Sequence, residues 1–253
     1  MKRLVIYLPA FFTLLCGLAM LVHGPIGQPA NYHAFADHTD FLGIPYANDV
    51  LSNLGFALVG SWGILCLWPQ RQHPALLAGR VGYGVFLIGL ILTALGSAYY
   101  HLAPDNDRLL WDRLPIALAC AGLLAGAWAE TTRPQRRALA ATGLLVVYAV
   151  VSVFWWYVTE RNGRGDLRPY LLLQILPIVL IPLWQAIYHS PSADRRWFAA
   201  AFLLYILAKL AELNDHEILA MSHTLFSGHT LKHLLATAAA AALVHRLIQR
   251  TRE

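Results

Sequence analysis

The chain carries three histidines, a carboxylate and a hydroxyl in short motifs suited to metal chemistry. One motif reads Gly96-Ser97-Ala98-Tyr99-Tyr100-His101, and a second reads Ser227-Gly228-His229-Thr230-Leu231-Lys232-His233. Ser97 and His101 are four residues apart, as are His229 and His233, so on a helix each pair shares one face. Between the motifs, Leu110-Trp111-Asp112-Arg113 supplies an acidic group. Three imidazoles suit Zn²⁺ with one position left open, the pattern of catalytic rather than structural zinc. An ion held in this way lowers the pKa of water to about 7 and polarises a carbonyl. Each residue also has an ordinary reading. A histidine near a membrane interface is commonly a hydrogen-bonded packing residue, and a serine in a span bonds the carbonyl four residues back. Asp112 has Arg108 and Arg113 as ready ion-pair partners.

These motifs must be positioned by membrane spans. Of 253 residues, 58% are hydrophobic and only 13% charged, whereas soluble domains carry charge at roughly a quarter of positions. Mean hydropathy is +0.51, and apolar runs of about 20 residues, each long enough to span hydrocarbon as a helix, alternate with short polar patches. The pattern predicts an all-α, polytopic helix bundle in a single domain. Its eight spans fall at 4–22, 50–68, 81–101, 109–129, 138–158, 171–188, 197–213 and 229–248. Pro177 and Pro182 are expected to kink the sixth span, which neighbouring helices tolerate in a membrane.

Basic residues set the orientation. With a cytoplasmic N-terminus, twelve lie inside (Lys2, Arg3, Arg71, Arg80, Arg133, Arg136, Arg137, Arg195, Arg196, Arg246, Arg250, Arg252) and four outside (Arg108, Arg161, Arg164, Arg168). That asymmetry follows the positive-inside rule and predicts that both termini are cytoplasmic. The net charge of +5 is thereby explained by topology, and no nucleic-acid binding is read from it. Residues 1–24 are read as a retained helix, with a secretory signal peptide as the alternative. Cys16, Cys66 and Cys120 all fall in spans and read as packing residues. In this topology His101 ends the third span at the outer face, while Asp112, His229 and His233 lie near the outer starts of the fourth and eighth. Three separate spans thus bring their polar groups to one depth, where an ionisable residue is expensive unless it has a function.

The set Ser97-x3-His101, Asp112 and His229-x3-His233, together with Asp49-Val50-Leu51-Ser52-Asn53, resembles the alkaline ceramidase family. That family belongs to a larger group of seven-helix membrane hydrolases that includes the progestin and adiponectin receptors. The resemblance covers about residues 45–240. It implies a seven-helix core over 45–250 with the N-terminal helix as an addition. It also implies zinc on His101, His229 and His233, proton handling by Asp112, and orientation or stabilisation of the reacting carbonyl by Ser97. The family's eukaryotic ceramidases also bind calcium through an acidic cluster. Asp37, Asp40, Asp49, Asn53 and Asp215 are the candidates here for calcium or for bracing the zinc ligands, although Asp37, Asp40 and Asp49 are read first as solvated loop carboxylates.

The expected activity is zinc-dependent hydrolysis of ceramide or a related N-acyl lipid to a fatty acid and an amine, with the lipid as the only partner. A haem protein and a receptor or transporter with non-catalytic zinc are the rivals. Lys209, Glu212, Asn214, Asp215, His216 and Glu217 cluster at the outer end of the seventh span as a gate or an interfacial cap. Lys232 lies about 100° from its flanking histidines on a helical wheel and need not face zinc. His33 and the other loop histidines are assigned no role.

Overall fold

Away from water, backbone polar groups must be satisfied within the segment itself, and a helix does this. The computed structural model describes residues 2–134 and 137–252 and is helical apart from one short hairpin. Arg136, counted above among the inner basic residues, lies outside the described residues, as do Met1, Gln135 and Glu253. In chain order the elements are α1 Lys2–Val5, α2 Leu8–His23, β1 Asp40–Phe41, β2 Ile44–Pro45, α3 Ala47–Ser52, α4 Leu54–Leu67 and α5 Pro74–Leu77. They continue with α6 Arg80–His101, α7 Asn106–Thr132, α8 Arg137–Arg161, α9 Arg168–Ile187, α10 Ser192–Leu213, α11 Asp215–Met221 and α12 Gly228–Gln249.

Among the described residues, six units are long and apolar enough to cross a membrane: α3 with α4, then α6, α7, α8, α9 and α12. A seventh arises if α10 and α11, bent by 86° about Asn214, count as one. The first expected span is shorter than predicted. Pro9 cannot donate to a preceding turn, so the helix breaks at Ile6–Tyr7 and restarts with the proline in its first turn. The 16 residues of α2 extend about 24 Å, less than the roughly 30 Å hydrocarbon core. Pro177 and Pro182 fall inside an uninterrupted α9. The fourth span starts earlier than expected because Asp105 caps it, its side chain accepting from the Arg108 N–H at 2.7 Å.

Helix α7 packs on α6, α8 and α9, while α12 packs on α10 and α4. Contacts of α4 with α6 and of α9 with α10 close a ring, with α2 against the outside of α9. Small residues let backbones approach closely in such bundles. At the α6–α7 contact, a Cβ on Gly96 would run into the carbonyl of Trp111, and one on Gly82 into the backbone of Gly126. This close approach sets the end of α6, with Ser97 and His101, beside the start of α7, with Asp112.

Candidate metal centre and cavity

His101 is the last residue of α6, and His229 and His233 occupy the first two turns of α12. The start of α12 is held by two side chains. Ser227 Oγ accepts from the Thr230 N–H at 2.9 Å, and Asp215 at the head of α11 accepts from the His229 N–H at 2.7 Å. The other Asp215 oxygen accepts from the Ala36 N–H at 2.9 Å, tying down the segment that follows α2.

All three imidazoles are buried, and their ligand nitrogens lie within 4.8 Å of one another. The Nε2 atoms of His101 and His229 are 3.2 Å apart. Tetrahedral zinc with Zn–N of about 2.0–2.1 Å sets its ligand nitrogens roughly 3.3–3.4 Å apart, so the residues fit that ion. The same spacing leaves no plane for a porphyrin between these two rings, which argues against haem on this pair. Ser52 Oγ stands 2.8 Å from His233 Nδ1. Phe35 presses edge-on against His101 and His229, with ring centroids 4.7 and 4.5 Å away. His33, assigned no role from the sequence, ties this covering segment to α6 and α7. Its Nδ1 is 2.8 Å from the Tyr100 hydroxyl and its Nε2 is 3.0 Å from Asn106 Oδ1.

Beside the histidines, the ring of helices encloses a cavity of about 300 Å³. Ser97, Asp112 and His233 line it, together with Lys209, Glu212 and Lys232, and most of the remaining wall is apolar, including Phe56, Phe86, Leu90 and Leu243. Among the described residues Asp112 forms no ion pair with Arg108 or Arg113. Arg108 turns to Asp105 at 3.9 Å, and Arg113 stacks over Trp156. Lys232 differs from the helical-wheel expectation. Its long side chain bends to within 3.3 Å of His229 Nε2 and pairs with Glu212 at 2.7 Å. Glu212 also pairs with Lys209, so the charges at the end of α10 face the cavity wall and not solvent alone.

The acidic set divides. Asp40 is exposed, its side chain accepting from the Gly43 N–H at 3.2 Å. Asp37 and Asp49 are fully buried, which corrects their reading as solvated loop carboxylates. Asp37 accepts from the Asp49 N–H at 3.1 Å and from Thr39. Asp49 Oδ1 accepts from Thr230 Oγ1 at 2.6 Å and from Ser227 Oγ at 3.1 Å. Asn53 donates to the Asp49 carbonyl at 2.8 Å. This network braces α3 against α12 behind the histidines. Among the described residues, the three histidines are the one group of three or more ligating side chains close enough to share an ion.

Phe35, His33, Ser52 and Lys232 were missed as site residues by sequence reasoning. Lys232, embedded in the second motif, and Ser52, within the Asp49–Asn53 segment of the family resemblance, carried a local signal. No protein-family model matches the chain, and no curated protein matches it as a relative.

Proposed function

We propose that the protein is a zinc-dependent membrane amidohydrolase, similar to the alkaline ceramidases, that cleaves the N-acyl bond of ceramide or a related lipid amide. The observation that carries this reading is three buried imidazoles beside a largely apolar cavity that also holds Asp112 and Ser97. His101, His229 and His233 would hold the ion. Zinc bound there supplies a Lewis acid for the carbonyl and acidifies water to near neutrality. Asp112 takes the proton of the attacking water and returns it to the amide nitrogen, which leaves poorly unless protonated. The Ser97 hydroxyl would donate to the developing oxyanion. Apolar wall residues hold the acyl chain and exclude bulk water. The products are a fatty acid and an amine.

In this reading, residues 45–250 form a seven-helix core with α10 and α11 as one bent span, and α2 is an additional N-terminal helix. With α1 and α2 together taken as an eighth crossing, the excess of basic residues on the inner side supports both termini in the cytoplasm and the site near the outer face. A reporter fused after Glu253 is therefore expected to report a cytoplasmic location.

Purified protein is tested for bound metal and for release of fatty acid from a panel of N-acyl lipids. Turnover that rises with zinc occupancy supports the proposal. Stoichiometric zinc with no turnover of any amide or ester lipid replaces it with a zinc-binding receptor or transporter.

A further inference from the structure

The cavity wall holds a cation that the proposed hydrolysis does not use. Arg113 is 2% exposed and forms part of the same wall as Asp112 and Ser97. Its guanidinium is caged by aromatic rings, 3.9 Å from the Trp156 centroid, 4.9 Å from Tyr32 and 5.5 Å from Tyr170. Ring faces attract a cation but do not accept its in-plane N–H groups. Among the described residues, Nε and Nη1 of Arg113 have no hydrogen-bond partner, and neither does the indole Nε1 of Trp156. The guanidinium and the indole are thus buried against one another, and each carries a donor without an acceptor among the described residues. Unsatisfied donors of this kind are costly, above all on a charged group.

The other charges of the wall do not answer this one. Lys209 and Lys232 are both paired with Glu212, and Asp112 makes no ion pair with Arg113. The cavity thus carries one unpaired guanidinium next to the group proposed to move protons. A planar fork of donors matches a carboxylate in geometry and charge. Tyr32 and Tyr170, which cage the guanidinium, also line the cavity, so a ligand in the cavity passes along this wall.

Resting on the hydrolase reading above, we propose that the preferred substrate is an N-acyl amino acid, whose free carboxylate is bound by Arg113 as the specificity-determining residue. The acyl chain lies along the apolar wall, and the carboxylate on the amine side of the scissile bond reaches the guanidinium. A neutral sphingoid or ethanolamine group offers hydroxyl oxygens but no counter-charge for the guanidinium.

The test compares N-oleoylglycine with N-oleoylethanolamine, which share an acyl chain and differ in carboxylate against hydroxymethyl. For the full-length zinc-loaded protein in detergent, kcat/KM for the glycine conjugate is expected to be about 10- to 100-fold higher, the scale of a charge-assisted hydrogen bond. Arg113→Gln brings the ratio close to one, mainly through KM for the acid, and Arg113→Lys restores part of it. A purely packing role for Arg113 would lower both substrates together and leave the ratio unchanged. Equal kcat/KM in the wild type, or a preference that survives Arg113→Gln, overturns the proposal while leaving the hydrolase reading intact. If other N-acyl lipids are cleaved but neither of these two is, the proposal fails and the hydrolase reading stands. If no amide or ester lipid is cleaved, the hydrolase reading fails, and binding of the two compounds by tryptophan fluorescence decides the subsite. Tighter binding of N-oleoylglycine that is lost in Arg113→Gln supports it, and equal binding sinks it.

Discussion

The hydroxyl of Ser52 lies 2.8 Å from Nδ1 of His233 and 3.0 Å from the carbonyl oxygen of Asp49. A carbonyl only accepts, so the Ser52 proton is committed to Asp49 and Oγ accepts from His233 Nδ1–H. That relay fixes the tautomer and leaves Nε2 with its lone pair free for a metal. Partners of this kind typically change metal affinity about 10- to 100-fold. Ser52→Ala is expected to weaken zinc binding by that order without unfolding the protein, as measured by chelator competition. An unchanged affinity would show that Ser52 does not set the ring.

The metal itself is the next expectation. Elemental analysis of the purified protein should give about one zinc per chain, and His101→Ala, His229→Ala or His233→Ala should each deplete it. Full occupancy in the His229→Ala/His233→Ala double variant would place zinc elsewhere.

Asp112 separates catalysis from metal binding. It is not a proposed ligand, so Asp112→Asn should retain zinc while hydrolysis falls about 10²- to 10⁴-fold, the usual span for a lost general acid–base group. Ser97→Ala should retain zinc with a smaller loss. Wild-type turnover by Asp112→Asn would remove Asp112 from the mechanism.

A fourth expectation concerns acid stability. Where the loop after α8 meets α9, the Arg168 guanidinium donates to both oxygens of Asp166 at 2.8 Å and holds its carboxyl well below the usual carboxylate range. Asp166 also accepts from Trp155 Nε1 at 3.0 Å and from the Ile26 N–H at 3.4 Å, so it secures the segment after α2. A carboxyl depressed in the folded state contributes its full stability above its unfolded pKa of about 3.9 and loses it as pH falls through the folded value. Asp166→Asn should therefore lower Tm by roughly 3–10 °C at pH 7. The gap to wild type should narrow below about pH 4. A gap that is constant from pH 7 to pH 3 in detergent melts would contradict this assignment.

Close contact between α6 and α7 supplies the fifth. A side chain at Gly96 must displace the Trp111 backbone, one residue before Asp112. Gly96→Leu is expected to abolish hydrolysis and also to weaken zinc binding through His101. An active, zinc-replete Gly96→Leu protein would show that the close approach is dispensable.

Much of this was legible in the chain because lipid simplifies the problem. A run of about 20 apolar residues in hydrocarbon has few options besides a helix, so the spans from Arg80 to Ile187 and the final helix follow from composition alone. The pairing of Ser97 with His101 and of His229 with His233 follows from helical periodicity. Shared depth follows from the alternation of spans, and that was enough to assemble the candidate ligand set. Local geometry at the first span was less legible, since the break before Pro9 turns on a single missing donor. What only the tertiary structure decided concerns side chains whose partners are distant in sequence. Ser52 meets His233 across 181 positions, and Asp49 is buried by Thr230 and Ser227. Phe35 covers two histidines from a segment with no periodic pattern, and Lys232 bends away from its helical-wheel direction to reach Glu212. Arg113 looked like a ready partner for Asp112, yet adjacent residues on a helix diverge by about 100°, and the surrounding rings drew the guanidinium aside. Periodicity determines which face a residue occupies, and packing between helices determines what that face meets.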